Sequence, residues 1–194
     1  MVKEHEEKGG STRAFIAIEI NQAAKEKLAV IASQIRSSSV KAVHPDQMHI
    51  TMAFLGDIDN DSIEEIGMLL SAMERSQFGI SLMGLGTFST KRPGVIFAKV
   101  LDGAEVLALI SSYINDGLAA LGMTVEERKF SAHVTVARAR NPSATEIDRI
   151  NSFVAAHSGD PFGSFICSGI KLKGSVLTPK GPIYRDLFTK SFSP

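Results

Sequence analysis

The sequence has little cysteine, no net charge and no long apolar run, and each absence excludes a class of protein. Cys167 is the only cysteine, so no disulfide can form within the chain, which suits a reducing compartment. The 21 basic and 21 acidic residues give a formal net charge of zero, whereas a protein that coats long nucleic acid needs a strongly basic surface. No apolar run approaches the roughly 18 residues of a transmembrane helix, and the charged N-terminus has no signal-peptide core. We therefore expect a cytoplasmic protein that makes no membrane contact.

The composition is that of an ordinary soluble globular protein. Hydrophobic residues make up 44% and charged residues 22% of the 194 positions, and this length suits one domain or two small lobes with a shared core. We expect residues 1–12 to form a flexible tail and residues 13–194 to form a single domain, active as a monomer. A neutral chain can still bind one or two phosphates in a cleft.

One short sequence motif occurs twice. Residues 49–53 read HITMA and residues 133–137 read HVTVA, so both are His-apolar-Thr-apolar-Ala. In a strand, residues i and i+2 point to the same face, so each histidine shares a face with its threonine while the apolar residues point to the core. Two such strands side by side would bring two imidazoles and two hydroxyls around one small space.

Alternating and helical patterns surround both phrases in the same order. The patterns predict strands at 13–20, 48–55, 78–85, 95–101, 130–138, 164–173 and 183–188. They predict helices over 21–36, 61–73, 102–122 and 143–153, begun by Asn21, by the capping-box pairs Asp61/Glu64 and Asp102/Glu105, and by Ser143. Turns are expected at 90–94 and 179–182.

The intervals indicate an internal duplication. Phe15 precedes His49 by 34 residues and Phe97 precedes His133 by 36. We predict two repeat halves, at about 13–92 and 93–190, each with the order strand, helix, histidine strand, helix, strand. Similar halves usually pack about a pseudo-two-fold axis, by analogy with homodimers, and such an axis would carry one His-Thr pair onto the other.

This pattern fits the chemistry of a phosphodiester held between two histidines. One neutral imidazole can take a proton from water on one side of the phosphorus, and one imidazolium can give a proton to the leaving oxygen on the other. The Thr51 and Thr135 hydroxyls can donate to the non-bridging oxygens, where charge develops. Because the histidines carry the proton transfers, no metal or other cofactor is needed.

Two alternative interpretations of the histidines remain open. They can be core residues whose hydrogen bonds are satisfied by the threonine hydroxyls. A zinc site is a poorer fit, because zinc sites usually need three or four ligands and neither phrase has a Cys, Asp or second His at ligand spacing.

The residues resemble the 2H phosphoesterase superfamily, and within it the RNA 2',3'-cyclic phosphodiesterases, also called 2'-5' RNA ligase-like proteins. The resemblance covers about residues 13–188. Its motifs are HITMAFLG at 49–56, RKFSAHVTVAR at 128–138, the turn KRPG at 91–94 and the stretch LTPKGPIY at 177–184. The family usually has proline before the second histidine, where this chain has Ala132.

The resemblance implies an α+β fold with two lobes of antiparallel sheet, outer helices and a central cleft. It implies hydrolysis of 2',3'-cyclic phosphate ends of RNA, or of a small cyclic-phosphate nucleotide, to 2'-phosphomonoesters, with His49 as proton donor and His133 as proton acceptor. Arg138 matches an arginine of the family motif and can bind the phosphate.

Further candidate residues and functions stay open. Phe130 and Tyr184 can stack a base, although an aromatic residue in a strand is more often part of the core. The same residues could catalyse the reverse reaction, a 2'-5' ligation. A binding module for RNA ends or nucleotides, without useful turnover, is the alternative function.

Overall fold

The computed structural model of the protein describes residues 11–124, 129–178 and 181–194. Within them, nine strands are β1 (Thr12–Glu19), β2 (Val40–Ala42), β3 (His49–Ile58), β4 (Phe78–Thr87), β5 (Val95–Val100), β6 (His133–Ala139), β7 (Pro161–Cys167), β8 (Gly169–Thr178) and β9 (Gly181–Ser191). The α-helices are α1 (Gln22–Gln34), α2 (Asn60–Ser71), α3 (Ala104–Ala120) and α4 (Ala144–Ala156), and Pro45–Gln47 forms a short 3-10 helix. None of these helices is long and apolar enough to cross a membrane.

All these strands form one antiparallel sheet, and the two histidine strands lie at its centre. The order is β7-β4-β5-β6-β3-β1-β8-β9, with β2 also paired to β6. A single residue pair, Ile50 opposite Val134, joins β3 to β6. The sheet therefore divides at this joint into two lobes, one with β3, β1, β8 and β9 and the other with β2, β4, β5, β6 and β7, which confirms the α+β, two-lobed architecture inferred from the sequence.

The helices cover one face of the sheet. Helices α1 and α4 pack on the lobe that contains β6, against β7 and β4, whereas α2 and α3 pack on the other lobe, against β9 and β3. Ile50, Met52, Val134 and Val136 are buried in the core cluster between sheet and helices. Because side chains alternate along a strand, both histidines lie on the face away from the helices.

The two lobes of the sheet are not two successive segments of the chain. The chain passes from β3 through α2 to β4, which pairs with β5 in the other lobe. Later it passes back, because β8 follows β7 but pairs with β1 in the lobe that contains β3. The division into repeat halves at 13–92 and 93–190 therefore stays a prediction about the sequence. The predicted tail at 1–12 lies outside the described residues except for Ser11 and Thr12, and Thr12 already belongs to β1.

The ends of the helices differ in part from those predicted. Asn21 and Ser143 cap α1 and α4 as expected, accepting hydrogen bonds from Ala24 N and Glu146 N. The other two predicted caps are wrong. Asp59, rather than Asp61, caps α2 by accepting from Ser62 N. Gly103 occupies the cap position of α3 and has no side chain with which to cap it, whereas the carboxylate of the predicted cap, Asp102, accepts from the Ser81 hydroxyl at 2.7 Å.

Two predicted strands also need correction. The strand predicted at 164–173 is two strands, β7 and β8, which separate at Ser168 and lie in different lobes. The backbone of Gly169 passes so close to Lys190 that a Cβ would lie 2.5 Å from its carbonyl oxygen. The strand predicted at 130–138 begins only at His133, so Phe130 precedes it. Part of the turn predicted at 179–182, residues 179 and 180, lies outside the described residues.

Candidate active site

The two His-Thr pairs lie side by side on the open face of the sheet. Ile50 pairs with Val134 in the antiparallel ladder, so His49 is next to Thr135 and Thr51 is next to His133. Side chains directly opposite each other in such a ladder are about 5 Å apart, and diagonal neighbours about 7–8 Å. The two imidazoles are diagonal neighbours, and this separation leaves room for a tetrahedral group between them.

Each imidazole is held by two aromatic rings. The His49 ring stacks on Phe15 with ring centroids 4.8 Å apart and meets the edge of Tyr184 at 5.5 Å. Phe15 lies on β1 and Tyr184 on β9, and their own rings are 4.9 Å apart. The first histidine thus lies in an aromatic corner of its own lobe.

The second histidine has a matching aromatic corner in the other lobe. The His133 ring lies 5.0 Å from Phe97 on β5 and 5.0 Å from Phe88, which follows β4. Phe88 and Phe97 are 4.5 Å apart. The similar intervals from Phe15 to His49 and from Phe97 to His133 therefore reflect equivalent ring contacts in the two lobes.

Backbone carbonyls orient both rings in the same way. Nδ1 of His133 lies 2.7 Å from the carbonyl oxygen of Ser131. A carbonyl oxygen only accepts, so Nδ1 carries the proton and donates, which leaves Nε2 as the nitrogen free to exchange a proton. His49 makes the corresponding backbone hydrogen bond with Gln47, again two residues before the ring.

The surroundings of both histidines favour the neutral imidazole in the free protein. Burial, together with the nearby Lys173 ammonium, lowers the pKa of His49 from 6.5 to about 4. Burial also lowers the pKa of His133; the Arg138 charge adds to this, and the hydrogen bond to Ser131 opposes it. An anion placed between the rings would favour the charged form of either, so ligand binding and protonation are coupled here.

Arg138 reaches the same face because of a bulge. A regular strand would turn residue 138 away from residue 133, since their spacing is odd. Strand β5 pairs Phe97 with Thr135 but Ile96 with Ala137, so Val136 is an extra residue and the alternation reverses. The Arg138 charge consequently lowers the pKa of both His133 and Tyr184.

In the first motif, Phe54 stands at the position that Arg138 has in the second motif, five residues after the histidine. Strand β1 pairs Ala17 with Thr51 but Ile16 with Ala53, so Met52 is an extra residue. This bulge turns Phe54 to the open face. Phe54 is 57% exposed. Sequence reasoning missed both Phe54 and Phe88. Aligning the two motifs would have singled out Phe54, whereas Phe88 lies in the turn after β4 and carries no motif signal.

The two aromatic residues considered for base stacking have different surroundings. Tyr184 lies against His49 and Phe15 at the site, and burial raises the pKa of its hydroxyl. Phe130 is partly buried and packs against the core cluster. The structure thus gives Phe130 the core position that is the alternative to a stacking role.

Four charged residues beside His49 form a network that the sequence did not reveal. Lys173 is only 7% exposed, and its ammonium donates to Glu19 and to Asp186, the latter at 2.7 Å. Lys171 also pairs with Asp186. Glu19 is directly opposite His49 in the β1–β3 ladder and acts to raise the pKa of His49, whereas Lys173 acts to lower it.

The described residues contain no group of three or more His, Cys, Asp or Glu side chains arranged to hold a metal ion. The expectation that the reaction needs no metal stays a prediction, which a chelator tests.

Comparison with known proteins places this arrangement in a family. A family model described as LigT-like phosphoesterase matches residues 18–97 and 101–184, which include both histidine motifs. The chain belongs to the LigT-like phosphoesterase family. The resemblance to 2H phosphoesterases that was read from the motifs is thereby confirmed.

Relatives of this LigT-like phosphoesterase match it over most of their length. An Archaeoglobus fulgidus protein named RNA 2',3'-cyclic phosphodiesterase is 35% identical, over 90% of this chain and 97% of its own. A protein of the same name from Aeropyrum pernix is 33% identical, over 84% and 93% of the two chains.

Solved structures share the fold of this LigT-like chain. A Thermus thermophilus protein superposes with a TM-score of 0.77 at 26% identity, covering 93% of this chain and 97% of the other. E. coli LigT in complex with 3'-AMP superposes with a TM-score of 0.78, covering 95% and 99%. Its 18% identity supports the two-lobed fold alone.

Proposed function

We propose that this LigT-like phosphoesterase hydrolyses 2',3'-cyclic phosphate ends of RNA to 2'-phosphomonoesters by acid/base catalysis with two histidines. The observation that carries the proposal is the adjacency of the two His-Thr pairs across the Ile50–Val134 joint. The names of the relatives, RNA 2',3'-cyclic phosphodiesterase, support the choice of substrate.

In the proposed reaction His133 acts as the base. Its free Nε2 accepts a proton from water, and the water oxygen forms a bond to phosphorus. On the opposite side the bond from phosphorus to the 3' oxygen breaks, and protonated His49 gives its proton to that oxygen. The product keeps the phosphate on the 2' oxygen. The Thr51 and Thr135 hydroxyls donate to the non-bridging oxygens, and each such donor can stabilise the transition state by about 3 kcal/mol.

The charges around the two rings bear on this assignment of roles. At His49 the Glu19 carboxylate favours an imidazolium, as a proton donor requires, but the Lys173 ammonium opposes it more strongly, so the ring is neutral until substrate binds. The Arg138 guanidinium favours the neutral form of His133, as a proton acceptor requires. The substrate's negative charge then adds to the effect of Glu19 and offsets that of Lys173, so His49 takes up its proton as substrate binds.

The remaining site residues bind the substrate. Arg138, turned to the open face by the bulge, binds the phosphate through its two-pronged guanidinium. Tyr184 and the exposed Phe54 offer ring faces on which a base can stack. Because both histidine strands belong to one chain, a monomer carries the whole set.

Turnover of a short oligoribonucleotide that ends in a 2',3'-cyclic phosphate tests the proposal. The assay contains excess chelator and resolves 2'- from 3'-phosphate products. We expect the 2'-phosphate, and a loss of about 10²–10⁴-fold in rate for His49→Ala and for His133→Ala. His44→Ala removes an exposed histidine and should leave the rate unchanged. Full activity in either site variant would contradict the proposal.

A binding module for RNA ends or nucleotides is the second candidate, because the surroundings favour the neutral form of both imidazoles in the free protein, whereas turnover needs one of them protonated. Tight binding of the cyclic-phosphate oligonucleotide, with no product at high protein concentration, would favour it. The reverse reaction, 2'-5' ligation, uses the same residues by microscopic reversibility. It requires the cleft to exclude water and to position a 5' hydroxyl, and supplying a 5'-hydroxyl oligonucleotide in the same assay would detect it.

A further inference from the structure

A second cation stands beside Arg138 on the open face of the sheet. Strand β2 pairs with β6, with Lys41 directly opposite Arg138. The residues on either side of this pair, Val40 with Ala139 and Ala42 with Ala137, point to the core. Lys41 and Arg138 therefore both point away from the core, on the same face as the histidines, and both are exposed.

This pairing is unfavourable unless an anion lies between the two side chains. Like charges directly opposite each other in a sheet destabilise it. Within the described part of the chain, neither Lys41 nor Arg138 forms an ion pair with a carboxylate. The turn after β4 adds the exposed Lys91 and Arg92, and it lies close by because Ala139 N donates to Gly94 O at 3.0 Å.

The distances along β6 suggest a second phosphate. Arg138 lies three residues beyond Thr135, but because Val136 is an extra residue of the bulge the separation along the strand is about 7 Å, and the guanidinium affects the pKa of His133. Arg138 can therefore reach back towards the reacting phosphate. Lys41, about 5 Å across the ladder from it, is left for an anion farther from the histidines.

We propose that Lys41, beside Arg138, binds the phosphodiester on the 5' side of the terminal nucleotide. This inference rests on the proposed function, because it takes the terminal phosphate to lie between His49 and His133. It identifies the preferred substrate class as an oligonucleotide with at least one internucleotide phosphate rather than a cyclic mononucleotide. Because the chain has no net charge, this preference depends on local cations such as Lys41 rather than on a basic surface.

Binding of two unreactive product analogues tests the inference. One is a diribonucleotide that ends in a 2'-phosphate, and the other is the corresponding nucleoside 2'-phosphate; the affinity of both is measured by calorimetry at several salt concentrations. We expect Lys41→Gln to weaken binding of the dinucleotide about three- to tenfold. The slope of the logarithm of the binding constant against the logarithm of the salt concentration should become smaller by about 0.7. Binding of the mononucleotide should be unchanged. Lys27→Gln, an exposed lysine of α1 on the helix face, is the matched control and should change neither affinity.

The outcomes separate this inference from the proposed function. Equal weakening of both ligands by Lys41→Gln, or no weakening of either, would overturn the role of Lys41 even if the wild-type protein turns over cyclic phosphates. An unchanged unfolding temperature of the variant excludes a folding defect as the cause. If the wild-type protein binds both ligands but turns over no cyclic phosphate, the proposed catalysis is overturned. The role of Lys41 is still decided by whether Lys41→Gln weakens binding of the dinucleotide more than binding of the mononucleotide.

Discussion

Phe15 stacks on His49, with the ring centroids 4.8 Å apart and the ring planes inclined by 26°. Stacking of this kind, with the backbone hydrogen bond to Gln47, fixes the direction of Nε2. Phe97 provides the corresponding contact for His133. The precision of the site thus depends on aromatic residues of the adjacent strands β1 and β5, which need not touch the substrate.

We expect Phe15→Leu to lower kcat about tenfold and to leave KM nearly unchanged. Leucine keeps an apolar side chain at this position but cannot stack on the ring, and a small misplacement of a catalytic group is costly in rate. Phe78→Leu is the control, because Phe78 stacks on Phe192 and contacts neither histidine. Steady-state kinetics on a cyclic-phosphate oligonucleotide measures both variants, and equal losses in the two would contradict a positioning role for Phe15.

Replacing Arg138 should change the titration of His133. The guanidinium lowers the pKa of His133, so Arg138→Gln should raise that pKa in the free protein. Arg140→Gln, which removes an exposed cation just after β6, should have little effect. NMR titration of the imidazole carbons measures the shift, and a pKa that is unchanged or lower in Arg138→Gln would show that Arg138 points away from the site.

The half-buried His49 should make the fold less stable in acid. In the unfolded chain its pKa is near 6.5, whereas in the fold it is lowered to about 4, so the unfolded state binds the proton first as the pH falls. The contribution of His49 to the free energy of unfolding has its full value above pH 6.5 and is lost as the pH falls from 6.5 to 4. At pH 5 the loss is about 2 kcal/mol.

The substitution His49→Asn tests whether His49 lowers the stability of the fold in acid. The fall in unfolding free energy between about pH 8 and pH 5 should be about 2 kcal/mol smaller in the variant than in the wild type. Urea unfolding at the two pH values measures it. A variant with the same fall as the wild type would show that His49 is not buried in the neutral form.

Lys173 should matter more for stability than Lys171. Removing Lys173 leaves the Glu19 and Asp186 carboxylates without their more buried partner. Both carboxylates are more than a third exposed, so we expect Lys173→Met to cost about 2 kcal/mol, below the range for a fully buried pair. Lys171→Met, the less buried partner, should cost about 0–1 kcal/mol. Urea unfolding compares them, and a larger loss for Lys171→Met would contradict this order.

The sequence predicted the centre of the site because that part depends on local alternation. His49 with Thr51 and His133 with Thr135 each occupy two positions of one strand, and the apolar residues between them specify which face is buried. The repeated His-apolar-Thr-apolar-Ala motif and the similar Phe–His intervals then indicated that two such strands are equivalent. The two-lobed fold followed from the resemblance that these motifs carry.

Other features depend on contacts that no local pattern records. The face on which Arg138 lies depends on an extra residue at Val136, which only the pairing with β5 reveals. Lys173 meets Glu19 across 154 positions of the chain. The strand predicted at 164–173 reads as one apolar pattern through Ser168, although its two parts belong to different lobes.

The most direct test of two histidines acting on one phosphorus replaces the 3' oxygen of the cyclic phosphate by sulfur. A thiolate leaves without needing a proton, because a thiol is far more acidic than an alcohol. We expect this substrate to restore most of the rate lost in His49→Ala and none of that lost in His133→Ala. Equal losses in both variants with the oxygen and the sulfur substrate would contradict the central claim.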